Sequence, residues 1–185
     1  MRGRRRTLWS ALSVTVIAAV IATMAVLYQG FTTADVELND GGVWVTEAQD
    51  SLVGHLNYPS RLLDGSFQGR SPTISLYQDG NDVLSFDQAA GALTLIDPAK
   101  LIAGGVASLT SGSRVGLRGG VLGIIDAGKN GLYVVGSDSV SGFSVTGRDP
   151  LAQLGAGSAV GVGVDGTVHA VSVEKSQVVS VAGTS

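Results

Sequence analysis

The chain has 185 residues, a formal net charge of −3, no cysteine and 27 glycines; 44% of its residues are apolar and 15% charged. Its length holds one domain or two small ones, and the absence of cysteine excludes a disulfide framework, a thiolate metal site and a cysteine nucleophile. From Asp35 onward eight basic residues face fifteen acidic ones, a net of −7, which excludes a nucleic-acid partner, because phosphate contacts need a basic surface.

Residues 1–6 form a basic tail with Arg2, Arg4, Arg5 and Arg6. Thr7 to Tyr28 follows without a charged residue. As a helix these residues span roughly 33 Å at about 1.5 Å each, enough for a hydrocarbon core of about 30 Å. Trp9 and Tyr28 fall at the two ends, where amphipathic rings favour the interface, and the arginines hold the N-terminus on the cytoplasmic side. The segment therefore reads as a single transmembrane helix that leaves the rest of the chain outside the cell membrane. The competing reading is a cleaved signal peptide. Its apolar run is longer than the usual signal core, and the cleavage-like site Thr32-Thr33-Ala34 lacks a small first residue.

After a linker at 29–35, residues 36–185 read as an all-β, extracytoplasmic module. Val43 to Val45 follows a turn at Asn39 to Gly42. Thr73 to Gln78, Val83 to Phe86 and Ala92 to Ile96 come next, the first two separated by Asp79-Gly80-Asn81-Asp82. Arg114 to Leu117 passes through Gly119-Gly120 into Val121 to Ile125, and Asn130-Gly131 leads to Leu132 to Val135. Ser141 to Val145, Ala159 to Val164, Thr167 to Val173 and Gln177 to Val181 complete the series. Short β-branched runs bounded by Asp-Gly, Asn-Gly or Gly-Gly are hairpin signals. Asn57 to Gly69 reads as a loop, and Leu151 to Leu154 as at most one helical turn.

A weak repeat underlies the series. First strands at Val43, Val83, Val121 and Val168 are spaced by 40, 38 and 47 residues. Such spacing points to about three to four β-propeller-like blades, short or incomplete as a ring. A β-sandwich is the alternative.

Chemistry-bearing motifs are sparse. His55 and His169 stand in no metal-ligand spacing, and Asp79 to Asp82 reads as a hairpin turn, because Val83 and Leu84 break a calcium loop. Gly155 to Gly161 precedes a strand where a phosphate loop needs a helix. Trp44 and the tyrosines read as core packing before a sugar-stacking surface. Tyr58, Arg61, Asp64 and Phe67 in the 57–69 loop form a candidate contact surface. The sequence nominates no catalytic, metal or cofactor-binding residue and no cofactor.

Asp35 to Phe67 (DVELNDGGVWVTEAQDSLVGHLNYPSRLLDGSF), Thr94 to Ala99 and Val160 to Ser172 together resemble the N-terminal region of actinobacterial membrane-anchored, propeller-like surface proteins that often carry fibronectin type III domains. The resemblance implies a non-catalytic interaction or scaffolding role in the cell envelope, with envelope protein or polysaccharide as partner. A glycan-acting hydrolase or lyase, and a truncated fragment without independent function, are the alternative readings.

Overall fold

The computed structural model describes Thr23 and residues 42–183. Apart from Thr23 the expected membrane segment lies outside them, and no helix among the described residues is long and apolar enough to cross a membrane. Leu38–Ser185 forms one compact unit, and its described residues build fourteen strands in four antiparallel sheets.

Sheet 1 holds β1 (Val43–Glu47), β2 (Leu52–Asn57) and β3 (Leu62–Gln68). Sheet 2 holds β4 (Ile74–Asp79), β5 (Asp82–Asp87), β6 (Ala92–Asp97) and β7 (Ile102–Ser108). Sheet 3 holds β8 (Arg114–Arg118), β9 (Val121–Asp126), β10 (Gly131–Gly136) and the short β11 (Ala152–Gln153). Sheet 4 holds β12 (Ala159–Val162), β13 (Val168–Ser172) and β14 (Gln177–Val181). Each sheet is a meander, and each packs face to face on the next in sequence.

Alternation along the strands builds this stack, because successive side chains leave opposite faces. Trp44 and Val53 on the front of sheet 1 meet Val83 and Ile96 on the rear of sheet 2. Leu84, Phe86 and Leu93 on the front of sheet 2 meet Leu122, Ile124 and Tyr133 of sheet 3. Val121, Ile125 and Leu132 meet Val168 and Ala170 of sheet 4. Sheets 2 and 3 are thus covered on both faces, and β9 is buried at all six positions.

The repeat is present, with one residue of adjustment. Val43, Val83 and Val168 each pair with the residue thirteen positions on, Leu56, Ile96 and Val181. Leu122, not Val121, holds that register through Val135. Val83, Leu122 and Val168 belong to second strands, so β1 is equivalent to β5, β9 and β13. Among the described residues sheet 1 therefore holds counterparts of the second, third and fourth strands.

Three expectations are corrected. Asn57 to Gly69 is not a loop: it contains β3, an exposed edge strand whose Asp64, Gly65 and Ser66 mask it. Ser141 to Val145 is not a strand. Gly142 stands at φ 75°, the Phe143 amide donates to the Val140 carbonyl at 2.9 Å, and one parallel bridge joins Ser144 to Ser108. Leu151 to Leu154 is extended and supplies β11. β7 was missed because Ala103, Gly104 and Gly105 dilute its pattern.

Six hairpins share one loop. Four residues separate Glu47 from Leu52, Asn57 from Leu62, Asp87 from Ala92, Asp97 from Ile102, Asp126 from Gly131 and Ser172 from Gln177. The fourth residue is left-handed in every case: Ser51, Arg61, Gly91, Leu101, Asn130 and Ser176, with φ from 49° to 65°. The residue before each loop accepts backbone amide bonds within it, as Asp97 Oδ1 does from Ala99 and Lys100, each at 3.1 Å. In three sheets the left-handed residue then takes the connector to the next sheet: Gly69 donates to Ser51, Leu109 to Gly91 and Leu154 to Asn130, at 2.7–2.9 Å.

At Gly91 the requirement is stricter, because an added Cβ would run into the Leu109 carbonyl oxygen as well as sit at positive φ. A left-handed backbone alone costs a residue with a Cβ about 1–2 kcal/mol. Gly91→Ala should lower unfolding stability by at least that much in urea melts. Ser51→Gly, at the same loop position in sheet 1, should leave it within about 1 kcal/mol.

Candidate functional site: the cleft at Asp87

A cleft of about 220 Å³ opens between sheets 1 and 2. Phe67, Gln68, Gly69 and Arg70, at and just beyond the end of β3, form one wall. Ala92 and Thr94 of β6, with Ala103, Gly104 and Val106 of β7, form the other. Two features make room: Gly104 carries no side chain, and the register of β6 against β7 slips between Thr94 and Ile96.

Among the described residues, Asp87, the last residue of β5, supplies the only carboxylate of the lining. It is 7% exposed. Its Oδ1 is fully used, accepting from Ser71 Oγ at 2.7 Å and from the Ala89 and Ala90 amides at 3.1 and 3.0 Å. Its Oδ2 is buried and has no hydrogen-bond partner. A buried carboxylate oxygen left without a donor forfeits about 1–3 kcal/mol or more, so this atom is unusual. Gln68 and Arg70 stand exposed at the rim, Phe67 is half-buried, and its ring packs 6.2 Å from that of Trp44.

The equivalent residue in sheet 3 shows the contrast. Asp126 Oδ1 accepts from the Thr110 amide at 3.1 Å and from Ser113 Oγ at 3.3 Å, and Oδ2 accepts from the Lys129 amide at 2.8 Å. In Asp97 one oxygen holds the turn and the other meets Lys100 Nζ at 2.6 Å. Both are complete turn locks. Asp87 performs the same structural task with one oxygen and leaves the other unspent.

The residues weighed from the sequence fall elsewhere. His55 is buried in sheet 1, its Nδ1 2.6 Å from Asp64 Oδ1, with the Trp44 ring at 5.1 Å. Asn57 Nδ2 donates to the other Asp64 oxygen at 3.1 Å. Hydrogen bonds from His55 and then Asn57 hold the Asp64 carboxyl below its usual value. His169 is exposed beside Ser180 Oγ at 2.9 Å. Asp79 to Asp82 is the β4–β5 hairpin turn, and Asp79 Oδ2 accepts the Gly119 amide at 2.7 Å. In the Gly155 to Gly161 segment the Ala156 amide already donates to Glu174 Oε2 at 2.7 Å, so the chain's own carboxylate occupies that donor. Trp44 is a core residue at 6% exposure. Among the described residues no group of three or more His, Asp or Glu side chains is placed to hold a metal ion.

No family model and no curated protein matches the chain. Solved structures do. The structure of "Dihydro-heme d1 dehydrogenase NirN in complex with DHE" matches with a TM-score of 0.56 at 16% identity, over 80% of this chain and 36% of that one. Myxococcus xanthus glutaminyl cyclase matches with a TM-score of 0.40 at 9% identity, covering 70% of this chain and 62% of that one. Kuenenia stuttgartiensis hydrazine synthase matches at 0.38 and 10%, covering 82% and 51%. The first likeness shows the fold: the four sheets are β-propeller-like blades. The chain spans about a third of the length of that protein.

Burial pushes the Asp126 carboxyl up, and hydrogen bonds from Thr110, Lys129 and Ser113 outweigh it, so it ends below its usual 3.8. A depressed folded value stabilises the native state above the unfolded value, and that contribution is lost as pH falls through the folded one. Asp126→Asn should therefore destabilise by about 1–3 kcal/mol at pH 7, where Nδ2 would face the Lys129 amide donor to donor. In urea midpoints taken at falling pH, the gap from wild type should close below about pH 3.8.

Proposed function

We propose that the chain is a single-span, membrane-anchored protein of the cell envelope, with Thr7 to Tyr28 as the anchor. Its propeller-like module lies outside the membrane and binds a saccharide of the envelope in the cleft between blades 1 and 2. The observation that carries this reading is Asp87, which lines an open cleft and holds a buried Oδ2 without a hydrogen-bond partner. That oxygen calls for a hydroxyl or N–H donor. Thr94, Gln68 and Arg70 add donors and acceptors, and Phe67 adds an apolar surface, which is the mixture that sugar hydroxyls and ring C–H faces pair with. A cleft of about 220 Å³ falls below the roughly 300 Å³ at which sites for drug-sized ligands begin. It suits one residue of a chain that continues outside.

Binding is favoured over glycan cleavage by the carboxylate arrangement. Glycoside hydrolysis generally uses two carboxyl groups flanking the scissile bond, whereas among the described residues the cleft lining holds Asp87 alone.

Asp87→Asn separates the two tasks of this residue, because the amide keeps Oδ1 for Ser71, Ala89 and Ala90 and exchanges only the unpartnered oxygen. The full chain in detergent should bind soluble envelope polysaccharide fragments in calorimetry, and Asp87→Asn should weaken that binding about tenfold or more with its urea midpoint little changed. Equal binding by both proteins, or none by the wild type, would refute the assignment.

A further inference from the structure

The chain fills one of its own seams with a strand-like segment. Beyond β10 it returns to blade 2 and lays Gly142 to Val145 along the outer edge of β7. The Gly142 amide donates to the Val106 carbonyl at 3.1 Å, the Ser108 amide to the Phe143 carbonyl at 2.8 Å, and the Val145 amide to the Ser108 carbonyl at 3.4 Å. The pairing is parallel. Phe143 and Val145, each 6% exposed, enter the core cluster of Ala107 and Tyr133, and the Phe143 ring stands 6.2 Å from that of Tyr133.

The same seat exists between blades 1 and 2, without an occupant among the described residues. Gln68 and Ser66 face Leu52 and Gly54 as Ser108 and Val106 face Ala92 and Thr94, and the Gly69 amide bonds Ser51 as the Leu109 amide bonds Gly91. Ser66 and Gln68 therefore turn the same backbone groups outward as Val106 and Ser108 do. Among the described residues no backbone hydrogen bond reaches those groups, and an edge of this kind is a template for a further strand. Phe67 and Thr94, in the walls of the Asp87 cleft, are the register counterparts of Ala107 and Tyr133. The cleft is thus the space that Phe143 fills one seam later. One thing differs: Asp126, at the seam that takes the phenyl ring, has both oxygens bonded, whereas Asp87 Oδ2 has no partner. An occupant of the second seat has to bring a polar donor where Phe143 brings a ring.

We infer that the saccharide of the proposed site is borne on a peptide. The peptide runs parallel to β3 along its outer edge. The sugar, linked to the side chain that corresponds to Phe143, enters the cleft and offers a hydroxyl or N–H to Asp87. This ligand presupposes the reading of the cleft as a saccharide site and gives the form in which the saccharide arrives: a glycosylated, extended segment of another envelope protein. Strand addition draws affinity from main-chain bonds and specificity from side-chain pockets, so the peptide sequence matters little and the sugar matters most.

The chain itself supplies the probe: a synthetic peptide with the sequence of Val140 to Thr146, carrying an O-glycosylated serine in place of Phe143, with glucose, mannose or N-acetylglucosamine as the sugar. In calorimetry with the full chain in detergent, one of these glycopeptides should bind about tenfold or more tighter than its free methyl glycoside and than the plain serine peptide, because the second contact is made intramolecularly. N-methylation at the two nitrogens that correspond to Gly142 and Val145 should remove the gain over the free glycoside. Asp87→Asn should remove the gain over the plain peptide. A glycopeptide that binds no tighter than its free glycoside, or keeps its affinity when N-methylated, would overturn the inference and leave the cleft a site for free saccharide. Equal binding of the glycosylated and plain peptides would overturn the inference and the saccharide reading together. Binding by none of the peptides would overturn the inference alone, the cleft then being decided by the polysaccharide fragments.

Discussion

Burial of one sheet face against the next is the interaction on which everything else in this molecule depends. A four-stranded antiparallel sheet with one apolar face can sit on water with the other. These sheets have no such option, because β5 and β9, the second strands of blades 2 and 3, are buried on both faces. β9 reads Val-Leu-Gly-Ile-Ile-Asp and is buried throughout. Each such blade is therefore stable only between two neighbours, which makes the stack cooperative.

That dependence also explains why the hairpin loops are so uniform in geometry and so varied in sequence. Stacking fixes the spacing between strands and the path of each connector. The loop need only bring a left-handed residue to the position from which its carbonyl receives the connector amide. Serine, arginine, leucine and asparagine tolerate that backbone at some cost, and glycine is required only where the next connector lies against Cα, as at Gly91. The Asp-Gly and Gly-Gly signals visible in the sequence mark the other hairpins, the tight turns at Gly80 and at Gly119-Gly120 with positive φ. Of the six four-residue loops only the one that ends at Asn130-Gly131 carries such a signature. The repeat was nevertheless legible, because Val43, Val83 and Val168 occupy one register position; Gly119-Gly120 moved the apparent start by a residue in blade 3. The edge strands β3 and β7 were not legible, since edge positions exposed to water carry no burial pattern.

The candidate site was illegible for a related reason. Asp87 stands in the sequence as one more acid at the end of a strand, alongside Asp97 and Asp126, and its role as a turn lock is the same as theirs. What distinguishes it is where its second oxygen ends. The Thr110 amide and the Ser113 hydroxyl meet the second oxygen of Asp126, and the Lys100 side chain reaches that of Asp97. The corresponding oxygen of Asp87 receives neither. This difference depends on how β3 and its exit at Gly69 and Arg70 pass over the β6–β7 pair, a relation between segments that local sequence does not encode. His55 shows the converse case. It is the residue type most readily suspected of chemistry, yet its partner Asp64, and Asn57 which donates to the same carboxylate, come from the same hairpin, and it closes a local network beside Trp44.

Blade 1 forms one wall of the Asp87 cleft with the end of β3. Among the described residues it is a three-stranded sheet whose packing onto blade 2 runs through Trp44 and Val53. A saccharide bridging β3 to Asp87, as proposed, would add a second connection between the same two sheets. A ligand that binds only the folded arrangement shifts folding toward it by mass action, so occupancy of the cleft and the stability of the seam between blades 1 and 2 would rise together.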